Sequence, residues 1–144
     1  MNRVDKKRVL FICTHNAARS QIAEGFLRAR YGDRYDAYSA GTEPTHIDLC
    51  AITVMREVGI DISTYRSKSL DEFEGKQFDF VVALCAEAQE SCPIFVGGRT
   101  YLHQAFDDPA HSKHINTEAD RCTQFRAVRD QIKEWIDATF GNDG

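Results

Sequence analysis

The apolar positions of the chain fall into two kinds of pattern. Val9, Leu10, Phe11 and Ile12 form a continuous apolar run, which predicts a short buried strand. Ile22, Ala23, Phe26 and Leu27 recur at helical spacing and predict a helix over about 18–31, ending near Gly32. A short second strand is expected at 36–39, before the turn residues Gly41 and Pro44. Ile52, Met55 and Val58 give one apolar face of a second helix, with Gly59 placed as its C-terminal stop. The stretch IDISTYRSKS is polar and irregular, as expected of a connection over the surface. FDFVVAL, 78–84, is a second buried strand. Residues 86–91 have room for two helical turns before Pro93, and 100–103 for a last short strand. Thr117 with Asp120 marks a helix start, and Phe125, Val128, Ile132, Trp135 and Ile136 a long amphipathic helix, before a tail over 141–144 expected to fray. Phe11, Phe26, Phe78, Phe80 and Trp135 are core candidates. Strands separated by helices predict an α/β fold with a parallel sheet covered on both faces.

Composition narrows this picture. The chain has 144 residues, 42% of them hydrophobic, and neither repeat nor linker interrupts it, so one domain over 1–144 is expected. A formal net charge of −4 gives no basis for binding nucleic acid or an anionic membrane. No apolar run approaches membrane-spanning length, and MNRVDKKR lacks the apolar segment of a signal peptide, so a cytoplasmic location is expected. Five cysteines are many for this length. In a reducing compartment they read as catalytic, metal-binding or simply buried, rather than as a disulfide framework.

The first strand runs into CTHNAARS, with Cys13 at the strand end and Arg19 six positions on. A strand turning tightly into a helix points free backbone N–H groups into the turn, a cradle suited to a tetrahedral oxyanion. Thr14, His15, Asn16, Ala17 and Ala18 form that loop, and Arg19 adds a two-pronged, charge-assisted contact. The same field favours the attacking thiolate of Cys13. Asn16 and Ser20 supply short polar groups that can lock the loop or hydrogen-bond the sulfur. A lone cysteine after a strand is ordinarily a small buried hydrophobe. Strand, spacing, small residues and following helix together outweigh that reading.

Cys85 and Cys92 sit in LCAEAQESCP, with Cys85 at the end of the second buried strand and so at the same sheet edge as Cys13. Seven helical residues separate Cα atoms by roughly 10 Å, and a disulfide needs them within about 7 Å. These two cysteines can therefore pair only if the segment between them unwinds; two unlinked thiols are the plainer alternative. In Asp107–Asp108–Pro109 the proline fixes the direction of Asp108, whose carboxyl can protonate a leaving oxygen or simply make a turn. Cys50 and Cys122 read as structural or surface thiols, and His103, His111 and His114 as surface groups without a metal-ligand spacing.

CTHNAARSQIAEGFLR, YSAG, VGIDIS, VVALCAEAQESCP and AFDDPA together resemble the thioredoxin-coupled arsenate reductases, which share their fold with the low-molecular-weight protein tyrosine phosphatases. The resemblance covers nearly the whole chain and implies a doubly wound, mainly four-stranded parallel sheet with helices on both faces. It implies that the Cys13 thiolate attacks arsenate held by the loop amides and Arg19, while Asp108 protonates the departing oxygen. Cys85 would then attack Cys13, releasing arsenite, and Cys92 would resolve the Cys13–Cys85 disulfide. Thioredoxin would reduce the resulting Cys85–Cys92 pair. Asn16 would hold the loop's shape and Ser20 would stabilise the thiolate. Glu24 and Ser39 match positions that help hold a potassium ion in some family members. Phosphate and sulfate are the look-alike anions.

The chain departs from that pattern at several positions. His15 stands where many relatives have glycine and Ala18 where some have another cysteine, without removing a backbone donor. Lys68 occupies a position where potassium-binding members carry aspartate, and its ammonium can supply the positive charge itself. Ala110 and His111 follow the DP pair where a phosphotyrosine phosphatase would place aromatic residues. Two rivals stand beside the reductase. One is a phosphatase using only Cys13, Arg19 and Asp108 on phosphotyrosine or small phosphate esters. The other is an oxyanion-responsive binding protein that uses its thiols as a sensor.

Overall fold

A computed structural model describes residues 6–85, 95–109 and 117–141. The elements run β1 (Lys7–Cys13), α1 (Arg19–Tyr31), β2 (Tyr35–Gly41), α2 (Leu49–Glu57), a short 3-10 helix (Leu70–Phe73), β3 (Phe78–Ala83), β4 (Gly98–His103) and α3 (Glu118–Phe140). The four strands form one sheet in the order β2-β1-β3-β4, and every pairing is parallel. The connections therefore leave β1 on opposite sides, and the chain reverses its winding between β1 and β3. The crevice at their carboxyl ends is where such sheets bind ligands.

β1 is buried on both faces, as a central parallel strand must be. Val9 and Phe11 join a core with Ile22 and Phe26 of α1, Val54 and Met55 of α2, and Phe125, Ile132 and Ile136 of α3. Leu10 and Ile12 point the other way, to Ala40, Phe73, Phe78, Val81 and Phe95. That second face is covered by the 3-10 helix and a set of edge-to-face rings, Tyr38, Phe73, Phe78 and Phe95. Helical elements thus lie on both faces of the sheet.

Several expectations are refined. β2 is longer than 36–39, because it pairs with β1 over its full length, from Lys7–Tyr35 to Cys13–Gly41. A Cβ on Gly41 would lie 2.5 Å from the Thr14 carbonyl oxygen, so only glycine lets this strand end run against the loop after β1. In α2 the buried face is Cys50, Ala51, Val54 and Met55, whereas Val58 falls past the helix end and is exposed. Gly59, at φ 82°, closes a Schellman motif in which the Gly59 and Ile60 amides donate to Arg56 O and Met55 O. The IDISTYRSKS connection is irregular but not merely superficial, since Ile62 is fully buried under it. Trp135 and Phe80 are half-buried at the core margin. The expected helix at 86–91 and the tail beyond Gly141 lie outside the described residues.

Cys50 and Cys122 overturn their reading as thiols: they form a disulfide, with Cα atoms 5.1 Å apart, between the starts of α2 and α3. The two helices run side by side in the same direction. Arg121 pairs with Asp48 beside the disulfide, and Arg126 and Arg129 pair with Glu57 at the far end. Packing brings the two sulfurs together, and no local spacing announces it.

Candidate active site

The loop between β1 and α1 is held from outside. Thr14 O accepts from Glu43 N (2.9 Å), His15 O from Thr45 N (3.3 Å) and Ser67 Oγ (2.8 Å), and Ala17 O from Asp48 N (3.0 Å). Asn16 O accepts from Gln21 Nε2 (3.0 Å) and Ala18 O from Ile22 N (2.8 Å). In a trans peptide the N–H points opposite to the C=O. Five consecutive carbonyls engaged away from the loop centre therefore leave the following amides turned inward. Asn16 takes φ 51°, a left-handed conformation that asparagine tolerates better than most residues.

At the base of this cradle Cys13 is buried, and it is a free cysteine. Its sulfur lies 2.9 Å from Ser20 Oγ. Ser20 Oγ in turn accepts from Asn16 Nδ2 at 2.7 Å. The Asn16 amide is oriented by its Oδ1, which accepts from Lys68 N (2.8 Å) and Gln21 Nε2 (2.9 Å). The Ser20 hydroxyl, anchored by Asn16, is thus held within hydrogen-bond reach of the sulfur, and either atom can be the donor.

Arg19 is buried at the rim. Its Nη1 donates to Phe106 O (3.1 Å) and its Nη2 lies 3.7 Å from Asp108 Oδ2. Asp108 is mostly buried and Asp107 exposed, so the two neighbouring carboxylates are separated by direction. Cys13, Arg19 and Asp108 line a cavity of about 40 Å³ together with His15, Ala17, Ala18 and Asp48. That is more than one water needs, and it is a fitting size for a small polyatomic anion.

Behind the loop, Glu24 is buried and accepts from Ser39 Oγ (2.5 Å) and Arg28 Nη2 (2.6 Å). Lys68 Nζ lies 3.9 Å from Glu24 Oε1, 3.5 Å from Ser39 Oγ and 2.8 Å from Arg66 O. Burial holds the Lys68 ammonium below the usual lysine range, opposed by the attraction of Glu24. The three residues singled out from sequence are therefore brought together, with the Lys68 ammonium beside the Ser39–Glu24 hydrogen bond.

Cys85 is buried at the end of β3. Ile12 pairs with Ala83, and Leu84 N donates to Ile12 O, so Cys13 and Cys85 leave adjacent strands at the same edge. Cys85 is disulfide-bonded. Cys92 lies outside the described residues, as do Ala110, His111 and His114. His103 Nε2 is 2.9 Å from Cys85 O, and no group of metal-ligating side chains occurs among the described residues.

A match to the family model described as low molecular weight phosphotyrosine protein phosphatase spans residues 8–140. An arsenate reductase of Halalkalibacterium halodurans is 39% identical over 141 residues, covering 98% of this chain and 99% of the relative. The chain belongs to the arsenate reductase branch of the low molecular weight phosphotyrosine protein phosphatase family. Among solved structures of this family, an arsenate reductase in the reduced state superposes with a TM-score of 0.75 at 31% identity, covering 94% of this chain and 97% of that one. A low molecular weight protein tyrosine phosphatase from T. tengcongensis gives 0.70 at 26% identity, covering 96% and 100%. The phosphatase and reductase members thus share one scaffold.

Three residues at the site escaped the sequence reading. Asp48 is the N-cap of α2, and Arg121 reaches it from the start of α3; the pattern along the chain marks neither. Gln21 is fully buried, and its Nε2 reaches Asn16 O, Asn16 Oδ1 and Arg66 O, while its Oε1 has no hydrogen-bond partner. Its signal was a polar residue beside the apolar face of α1. Gln21→Met keeps the volume and removes these donors. It is expected to cost roughly 1–3 kcal/mol in denaturant unfolding, by stranding buried acceptors, and to weaken phosphate binding through the loosened Asn16.

Proposed function

We propose that the chain reduces arsenate to arsenite through a cysteine–arsenic adduct and a disulfide relay regenerated by thioredoxin. One observation carries the choice of reduction over hydrolysis. Cys13 is free at the base of an amide-lined pocket, while Cys85 at the adjacent strand end is disulfide-bonded. A phosphatase needs the first feature and has no use for the second.

The chemistry follows from the placement of the groups. Arsenate enters the cradle with its oxygens toward the loop amides and the Arg19 guanidinium. The Cys13 thiolate attacks arsenic, and Asp108 gives its proton to the departing oxygen, which leaves as water. The thiolate of Cys85 then attacks the Cys13 sulfur. The S–As bond breaks with its electron pair passing to arsenic, which leaves as arsenite, and a Cys13–Cys85 disulfide remains. Cys92 attacks Cys85, returning Cys13 as a thiolate. The dithiol of thioredoxin reduces Cys85–Cys92, becoming a disulfide itself. A cytoplasmic setting suits this cycle because a dithiol donor is at hand there. In this reading the Lys68 ammonium supplies the charge beside Glu24 and Ser39, and potassium has no task.

Cys92→Ser is the test of the relay. It should release about one arsenite per chain and then stop, with Cys13 linked to Cys85 in peptide mapping. Sustained turnover of this variant with thioredoxin, thioredoxin reductase and NADPH would refute the three-cysteine scheme. Steady hydrolysis of a phenyl phosphate by the wild type, without arsenite formation, would favour the phosphatase instead.

A further inference from the structure

The proposed relay uses Cys13, Cys85 and Cys92 and leaves the Cys50–Cys122 disulfide without a role. Its position is informative. Cys50 lies two residues after Asp48, whose side chain caps α2 by accepting from Cys50 N (2.9 Å). Cys122 directly follows Arg121, whose Nη1 donates to Asp48 Oδ1 (2.7 Å) and whose Nη2 contacts Asp48 Oδ2. Asp48 also lines the anion cavity, and its backbone N–H holds the loop at Ala17 O. A carboxylate in the wall of an oxyanion pocket repels its ligand unless a cation neutralises it. Arg121 is that cation. Its guanidinium is further fixed over the Phe125 ring, 4.9 Å from the centroid. The disulfide and the ion pair therefore close one small ring between the starts of α2 and α3.

We propose that Cys50–Cys122 is a second redox site, whose substrate is a dithiol reductant, and that its state sets the oxyanion affinity of the pocket through Arg121 and Asp48. Cys50 is buried and Cys122 half-buried, so an incoming thiolate attacks the Cys122 sulfur and Cys50 leaves as thiolate. The second thiol of the reductant completes the exchange. Two electrons pass to the pair, two thiols form, and the reductant becomes a disulfide. Oxidised, the bond pins Arg121 on Asp48. Reduced, that end of α3 keeps the two-pronged Arg121–Asp48 pair but loses the covalent tie that fixes its position against α2. Asp48 then faces the anion with its charge less fully neutralised.

The inference rests on the pocket binding an oxyanion, and not on arsenate being reduced there. Its test uses the full chain carrying Cys85→Ser and Cys92→Ser, so that Cys50 and Cys122 are the pair read by alkylation and mass spectrometry. Inorganic phosphate is titrated calorimetrically in buffers poised with oxidised or reduced dithiothreitol. The pair should interconvert in the folded protein, and phosphate should bind about tenfold more weakly once it is reduced. Arg121→Met should bind at the weak level in both buffers. Phosphate affinities agreeing within twofold across the buffers overturn the proposal, as does a pair reduced only after unfolding. An absence of arsenite from the wild type, with the phosphate dependence intact, would defeat the reductase reading and leave this inference standing.

Discussion

Arg19→Lys is expected to lower kcat/KM for arsenate by about 10²–10³-fold, the loss typical of removing one preorganised oxyanion donor. Charge alone is not what Arg19 contributes. Its guanidinium is buried and shared between Phe106 O, the Asp108 carboxylate and the anion cavity, an arrangement that needs a planar fork with several fixed donors. A lysine ammonium keeps the charge but cannot serve those three partners at once. The Phe106 carbonyl then loses a buried donor, and Asp108, the proposed proton donor, loses the cation beside it. The fall should appear in kcat as well as in KM, because the contact strengthens as charge shifts onto the departing oxygen. Steady-state kinetics in the thioredoxin-coupled assay measure it. A loss below tenfold, with the variant folded by circular dichroism, would mean that the loop amides hold the anion without Arg19.

The second large effect concerns stability. The Cys50–Cys122 disulfide bridges a sequence separation of 72. A cross-link closing a loop of that size restricts the unfolded chain enough to stabilise the fold by about 4 kcal/mol. For a chain of this length that corresponds to a fall in Tm of roughly 12 °C when the bond is lost. Cys122→Ser suits the measurement, since residue 122 is half-buried and tolerates the hydroxyl. Differential scanning calorimetry without reductant should show the drop. A Tm within about 3 °C of wild type would mean that the α2–α3 packing and the Arg126 and Arg129 pairs with Glu57 already confine the helices.

The two predictions also separate what was legible in the sequence from what was not. The loop from Cys13 to Ser20 was readable because its chemistry is contiguous, between a buried strand and a periodic helix. Cys85 was placed correctly by a simple rule, that parallel strands end at a common edge. The α2 face was misjudged at Val58 because the helix ends one residue earlier, where Gly59 takes its left-handed turn. Ile62 looked like part of a polar connection, yet this one apolar side chain is fully buried and anchors the segment against α1. Gln21, Asp48, Arg121 and the Cys50–Cys122 bond depend on residues brought together across long separations. Nothing local distinguishes such a cysteine from an ordinary buried one.

The loop's outward-turned carbonyls bear on how the protein discriminates among its ligands. A cradle whose donors are main-chain amides reads the shape and charge of a tetrahedral dianion and nothing about its central atom. On the proposed reaction, phosphate therefore competes with arsenate for the same seat, and selection falls later, when the sulfur–ligand bond breaks. Arsenic can depart with the bonding pair because its trivalent oxyacid is a stable product in water. Phosphorus in the same adduct has no comparable exit, so its release must await hydrolysis. In the proposed relay, discrimination thus belongs to the leaving step, in the hands of the second cysteine, and the pocket itself is free to stay indifferent.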